Sequence, residues 1–517
     1  MPGHDRRWAF GAVLFAAILV LVFVAYCAAL SAWFANDDFL WLDISNASSV
    51  LASFTGSWGH GAAYRPLARV SFWLDTLLFG RNATPWHAHS LALHALGSAL
   101  LGVLLDRLSG ERAFAVTAAM IFALLPLSDE AVIWISGRMY VLCLPLALTS
   151  ALLLDHWLDE PRPRTLLALA LTVTLTLATY EGSVYVVVLL ALVAALRVRD
   201  GARVALAITG LMVAGLLLLG YLALRRWFVG PGDFLPTRPV LSLAFLTSLR
   251  AVGGVFLTQV TPALWPFALA AVASAIWAPR MLAIATIGVA VAAAGYAPFS
   301  FVDSFGMRYL YAAGLGLAMV LAALIVGLAR VPRVGVPLAA LLLLLQLRGE
   351  WQGVRTAARE WAEAGAIAQQ TLANVANAVS AEPAGRPVLV FGVPLQHGHG
   401  MLFFTYFDIA MRLFHPELPR LVLSAHYLLD LDEGSGWNSH ATTWERESVR
   451  RAVAQLPPLG CIAAAPTWSH TRAAVARALV RCKAGFVALD MAARSAHGIS
   501  ADDARRRMVE KLGPEAG

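Results

Sequence analysis

Charge is scarce in this chain. Only 14% of its 517 residues are Asp, Glu, Lys or Arg, against roughly 25% in an ordinary soluble domain. With 59% hydrophobic residues, that excludes a soluble globular protein and points to a polytopic membrane protein. Lysine is almost missing. It occurs only at Lys483 and Lys511, so the net charge of +7 rests on arginine. No basic patch interleaved with aromatics accompanies the excess, which excludes nucleic acid as a partner; basic loops facing anionic lipid and cytoplasm account for it. Four cysteines are too few for a disulfide framework. Cys27 and Cys143 fall in apolar runs and read as packing residues. Cys461 and Cys482 fall in a polar C-terminal part, where an oxidising compartment would let them pair. That part holds no glycine-rich phosphate loop, zinc spacing or G-x-S-x-G elbow, and no 34-residue repeat.

What is present is a series of apolar runs long enough to cross a bilayer, which takes roughly 17–25 residues. The first, Phe10 to Leu30, follows "MPGHDRRWAF". It is too long for a signal-peptide core and reads as an uncleaved span with Arg6 and Arg7 inside. Further spans are expected near 88–106, 112–128, 131–154, 164–180, 182–197, 203–224, 257–278, 281–298, 308–329 and 334–349. With these eleven spans, the connectors "DRLSGER", "HWLDEPRPR", "RVRDGAR", "APR" and "ARVPR" all face the cytoplasm, as the positive-inside rule requires. The stretch 241–256 reads as a surface or partly inserted helix. In the first external loop, 33–87, Leu67, Val70, Leu74 and Leu77 recur at helical spacing beside Trp73, the pattern of an interfacial amphipathic helix.

The expected fold class is an all-α polytopic membrane bundle with a small C-terminal α/β soluble domain. The bundle occupies 1–349. From Glu350 onward a one-sided helix stripe leads into short apolar runs, "PVLVFGV", "RLVLSA", "GCIAAAP" and "FVALD". The odd span number places this part, 350–517, on the non-cytoplasmic side. The arginine- and alanine-rich composition points to a bacterial inner membrane.

Ionisable groups gather on that same side: Asp37, Asp38, Arg65, Asp129, Glu130, Arg138, Glu181, Asp303 and Arg308. Charges at the edges of spans are costly and mark function more often than chance. Asp37 and Asp38 stand side by side just past the first span, flanked by Trp33, Phe39 and Trp41. Adjacent carboxylates under aromatic cover suit a general base, or a base beside a metal ligand. Arg138 is read as a turn or two inside its helix. Separate arginines suit a phosphate leaving group, whose oxygens their forks hold. His60, His87, His89 and His94 invite a metal cluster, but His87 and His89 are two apart, which suits a strand better than a helix, and His94 reads as a hydrogen-bonded packing residue, so no metal site is assigned. No motif demands a cofactor; a divalent metal is left open.

Four segments, in order, give the chain a resemblance. They are "NDDF", "YRPLARVSFWLDTLLFGRNATPWHAHSLALHAL", "DEAVIWISGRMYVLCLPLAL" and "GMRYLYAAGLGLAM". Together they resemble the GT-C class of polytopic glycosyltransferases, especially the protein O-mannosyltransferase-like and tetratricopeptide-linked transmembrane families, over roughly residues 10–350. The resemblance implies sugar transfer from a polyprenyl-phosphate carrier on the non-cytoplasmic face, with a glycan, lipid or protein as acceptor. It implies Asp37 as the base with Asp38 beside it, and places Glu130, Arg138 and Arg308 near the donor, with Tyr309 in the R-Y-L-Y segment. "TYEG", with Glu181, stands where those families carry a Lys-Glu turn, but has Tyr180 in place of the lysine. Past residue 350 the chain departs from the tetratricopeptide-linked members. Two other classes stay open on the residues alone: a lipid-linked glycan flippase, or an inactive scaffold carrying an external domain.

Overall fold

The computed structural model describes residues 2–55, 63–198, 200–229, 250, 253–254, 264–299, 306–380, 388–403, 406–418, 422–424, 485–490, 495–500, 502–504 and 506–507. The expectations for His60, Asp303, Cys461, Cys482, "GCIAAAP" and most of 241–256 fall outside these residues. The described chain is mostly helical and divides into two units. One comprises Met1–Ser31 and Ser48–Arg359, the other Ala32–Ala47 and Glu360–Gly517.

Among the described residues, the first unit is built of helices joined by turns. Its main helices are α1 (Pro2–Ala25), α3 (Pro66–Phe79), α4 (Ala83–Ser109), α5 (Arg112–Leu124), α6 (Asp129–Ile133), α7 (Arg138–Asp159), α8 (Pro163–Leu177), α9 (Tyr185–Arg197) and α10 (Gly201–Val229). After them come α11 (Leu264–Trp277), α12 (Pro279–Tyr296), α13 (Tyr311–Leu328) and the start of α14 (Gly335–Ser380). Among the described residues, five helical stretches are long and apolar enough to cross a membrane: Ala83–Ser109, Ile135–Asp159, Gly201–Val229, Pro279–Phe299 and Met307–Leu328. Shorter apolar helices lie at Ala9–Ala25, Arg112–Leu124, Pro163–Leu177 and Trp265–Trp277.

Packing in the first unit uses small residues, because lipid gives apolar surfaces no reason to associate and close backbone approach must do the work. A Cβ on Gly288 would lie 2.8 Å from the Gly316 carbonyl oxygen, so α12 and α13 meet backbone to backbone there. The outward faces are apolar instead: Ile208, Met212, Leu216 and Leu219 on α10 are exposed. The amphipathic α3 is built the same way round, with Arg69 and Asp75 buried and Leu74, Leu77 and Leu78 exposed.

The basic connectors are tied to each other. Arg107 Nε lies 2.6 Å from Asp155, Arg197 Nη2 donates to Asp159 at 2.5 Å, Arg330 donates to Glu111 at 3.0 Å, and Arg280 reaches the Ser109 carbonyl at 2.5 Å. All five connectors read as sharing one face therefore take part in these contacts.

Two expectations are corrected. The apolar run 131–154 is not one helix. Trp134 adopts an extended backbone and Ile135–Gly137 a 3-10 turn, so α6 ends at Ile133 and α7 begins at Arg138. Arg138 is thus the first residue of its helix, not a turn or two inside it. Gly137 is what lets the chain double back, since a Cβ there would lie 2.7 Å from the carbonyl oxygens of Glu130 and Ala131. The second correction concerns 334–349, which does not end as a helix of its own; α14 runs unbroken for 46 residues.

In the second unit, α2 (Asp37–Ala47) and α15 (Phe407–Phe414) accompany a mixed sheet of order β4-β1-β5-β6. Here β1 is Val388–Phe391, β4 Val422–Ser424, β5 Gly485–Asp490 and β6 Ser495–Gly498. Strand β1 is parallel to both neighbours, pairing Leu389 with Leu423 and with Phe486. All four of its residues are buried, the pattern of a strand covered on both faces. The last pair, β5 with β6, is antiparallel. A small hairpin, β2 (Gln396–His397) with β3 (Gly400–Met401), stands apart from the sheet.

Candidate functional site

Two arginine–glutamate pairs dominate the polar interior of the first unit, and they are built alike. Arg65 ends the approach to α3, where Pro66 occupies the first helical position, for which its fixed φ and missing N–H suit it. Glu181 grips this segment twice: Oε1 accepts from the Tyr64 backbone N–H at 2.9 Å and Oε2 from Arg65 Nε at 2.7 Å. Tyr221 on α10 donates to the Tyr64 carbonyl at 3.1 Å. Glu130, on α6, grips Arg308 in the same way. Oε2 accepts from the Arg308 backbone N–H at 2.9 Å, and Oε1 pairs with the guanidinium. That guanidinium also lies 5.2 Å from the Trp134 ring and 4.7 Å from the Tyr309 ring.

In each pair one carboxylate oxygen fixes the backbone and the other fixes the side chain. The arginines are therefore held in place before any ligand arrives, the condition under which fixed charges stabilise a reacting group most. Between them lies an aromatic group. Phe299 stacks on Tyr309 at 4.6 Å, and Tyr140 lies 4.7 Å from Tyr180.

Arg138 is a different case. It is fully buried and its guanidinium pairs with Asp75 of α3. It also donates from Nε to Ser90 Oγ at 3.2 Å and from Nη2 to the Trp86 carbonyl at 2.6 Å. His89 completes the group, its Nδ1 2.9 Å from Asp75. Such a guanidinium ties α3, α4 and α7 together rather than presenting itself to a ligand. Asp75 is the participant that the sequence reading missed, and His89 was weighed there only as a metal ligand. The available signal was Asp75 on the otherwise apolar α3, three residues from the buried Phe72.

His87 and His94 are also held by hydrogen bonds. His87 Nδ1 lies 2.9 Å from the Ile133 carbonyl. His94 lies 2.9 Å from the Tyr311 hydroxyl and 3.1 Å from the Ala123 carbonyl. Among the described residues no group of three or more His, Cys, Asp or Glu is placed to hold a metal ion.

Asp37 and Asp38 belong to the second unit and form the first turn of α2, where the helix dipole favours negative charge. Asn36, just before them, has φ of 51°. That is the left-handed region, which Asn tolerates better than most residues. Its N–H donates to the Leu402 carbonyl at 2.7 Å. The turn sets the two acids differently. Asp38 is buried and accepts from the Ala35 N–H at 3.0 Å, while Asp37 is half-buried. Aromatic cover is present as the sequence indicated: Phe39 stacks on Phe403 at 5.7 Å and Trp33 lies 4.5 Å from Phe414.

Nearby in this unit, Arg412 bridges to Asp43 at 2.8 Å. Burial pushes Asp408, at the start of α15, up to about 6, although Arg412 and backbone N–H groups pull the other way. A carboxyl raised in the folded state binds its proton more tightly there than when unfolded, so folding is favoured while it is protonated and loses that advantage as pH rises through about 6. The D408N variant is therefore expected to have a higher unfolding midpoint than the parent at about pH 8, with the gap closing towards about pH 4. Thermal unfolding of the full chain at both values checks this; a gap that does not change with pH refutes it.

No family model matches the chain. A human protein, protein O-mannosyl-transferase TMTC1, is 32% identical over 152 residues, which is 26% of this chain and 17% of the human protein. The mouse protein of the same name is 36% identical over 111 residues, 20% of this chain and 12% of that protein. The chain thus matches less than a fifth of the length of these relatives, and the match bears out the resemblance to the protein O-mannosyltransferase-like families. Among solved structures, ArnT from Cupriavidus metallidurans bound to undecaprenyl phosphate aligns with a TM-score of 0.49 and 13% identity, covering 92% of this chain and 93% of that one. Its apo form aligns with a TM-score of 0.47.

Proposed function

We propose that the protein is an inverting, membrane-embedded glycosyltransferase that moves a sugar from a polyprenyl-phosphate donor to an acceptor hydroxyl. The observation that carries this reading is the pair of carboxylate-held arginines, Arg65 and Arg308, set among apolar helices. Fixed guanidiniums beside an apolar surface suit a ligand that is anionic at one end and hydrocarbon at the other. The motif resemblance supports the same donor.

In this reading Asp37 removes the proton of the acceptor hydroxyl. The oxygen attacks the anomeric carbon opposite the phosphate, the bond from that carbon to the phosphate oxygen breaks, and the lipid phosphate leaves with the electron pair. Arg65 and Arg308 hold its oxygens, with Glu130 and Glu181 fixing them and Tyr309 flanking Arg308. Arg138 becomes a positioning residue, because its donors are engaged within the protein. Asp38 orders the turn that presents Asp37. The finer topology goes with this reading: about eleven spans, the N-terminus cytoplasmic and a small α/β domain outside, in a bacterial inner membrane.

Incubating the purified chain with radiolabelled polyprenyl-phosphate sugars and a membrane extract tests the reading. The expected result is label moved to an acceptor with release of free polyprenyl phosphate. Label that only crosses the bilayer, with the donor intact, would support the flippase class instead.

A further inference from the structure

The polar interior of the first unit contains hydrogen-bond donors with no assigned acceptor. Tyr140, in the first turn of α7, is 6% exposed, and its hydroxyl makes no hydrogen bond to another described residue. The hydroxyl oxygen is not itself sealed off, so a partner from outside the chain can complete it. Its surroundings indicate what that is. Met139, the residue before it, accepts from Arg65 Nη1 through its sulfur at 3.2 Å. On the other side the Tyr140 ring lies 6.4 Å from Tyr309, whose ring covers the Arg308 guanidinium. Tyr140 thus stands between the two held arginines, and Arg308, Arg65 and Glu130 all act on it electrostatically. Arg65 adds a second donor. Its Nε is engaged by Glu181 and its Nη1 by Met139, while Nη2 has no acceptor among the described residues.

A phenol and a guanidinium N–H left open beside two fixed positive charges fit an anion with several acceptor oxygens better than a neutral sugar. We propose that Tyr140 donates a hydrogen bond to a phosphate oxygen of the lipid-linked donor and of the lipid phosphate that leaves, joining Arg65 and Arg308 into one anion site. This rests on the proposed donor class and adds a residue to it. The phenol gives its proton only as a hydrogen bond, so no proton is transferred at Tyr140.

The test uses the full chain in nanodiscs, with a short-chain polyprenyl phosphate and the uncharged polyprenol of equal length as probes. Tyr140→Phe keeps the ring and removes the donor. It is expected to weaken the phosphate probe about tenfold, the lower end for a hydrogen bond to a charged group, and to leave polyprenol affinity unchanged. Equal phosphate affinity in the variant and the parent overturns the role of Tyr140 while sparing the donor reading. Equal loss for both probes overturns it too, since the ring would then act by packing alone. If the parent binds phosphate and alcohol alike, the donor reading falls, and this proposal with it. Inorganic phosphate that competes as well as the lipid phosphate would refute the lipid source.

Discussion

Asp37→Asn is expected to lower sugar transfer by about a thousandfold, within the range that general-base removal typically costs. The substitution keeps the shape and the hydrogen-bonding capacity of the side chain but removes its ability to accept a proton. It also retains a polar group at the first turn of α2, so the helix loses only a favourable charge at its N-terminus. Asp38→Asn is expected to do much less. Asp38 is buried and its Oδ2 already accepts from the Ala35 N–H, a role that an amide oxygen can also fill. Initial rates of polyprenyl phosphate release, in membranes carrying equal amounts of each variant, separate the two. A folded D37N variant with full activity removes Asp37 as the base. Loss of activity in D38N alone moves the role one residue along.

The largest effect on stability is expected at Arg138. Removing it leaves the Asp75 carboxylate buried without its cation, which typically costs about 3–5 kcal/mol. Arg138→Met should therefore unfold at a much lower temperature than the parent, or fail to accumulate. The double variant, Asp75→Asn with Arg138→Met, should recover most of that loss, because replacing a buried ion pair as a whole is often nearly neutral. Thermal denaturation followed by size-exclusion chromatography provides the readout. A single variant as stable as the parent would show that the pair carries no such weight. The comparison also separates Arg138 from Arg308, which the sequence alone could not do. Both are arginines near the end of an apolar run, yet one is sealed among Asp75, Ser90 and Trp86 and the other keeps its guanidinium against aromatic rings at the edge of a cluster.

Much of the helical architecture was legible because lipid imposes one strong pattern. A run such as Gly201–Val229 has few other ways to satisfy its backbone. The places where that reading failed are those where local geometry, and not hydropathy, decides. The break between α6 and α7 depends on Trp134 and Gly137, which do not interrupt the apolar run. Likewise, the composition shift at Glu350 does not coincide with a helix end, since Gln346 and Glu350 are hydrogen-bonded across it within one continuous helix. The charged residues were found by type, but their partners were not. Arg65 and Glu181 are 116 positions apart and Glu130 and Arg308 are 178 apart, separations at which a single sequence carries no pairing information. Asp75 was missed for a related reason. On an amphipathic helix with an apolar outer face, a lone acid reads as the solvated side, whereas here the polar side is the buried one.

The two held arginines have a consequence for how activity responds to alkalinity. A lysine in either place would lose its proton near the top of the accessible range, and the rate-versus-pH curve would fall there. A guanidinium does not deprotonate in that range, and both Arg65 and Arg308 are held by a glutamate, Glu181 and Glu130. With an aspartate as the base, the acidic limb is then the only one the site itself imposes. The curve should rise and level off, not pass through a maximum, until phenols begin to ionise. A chain with two lysines in 517 residues has, in effect, placed its positive charge where the external medium cannot switch it off.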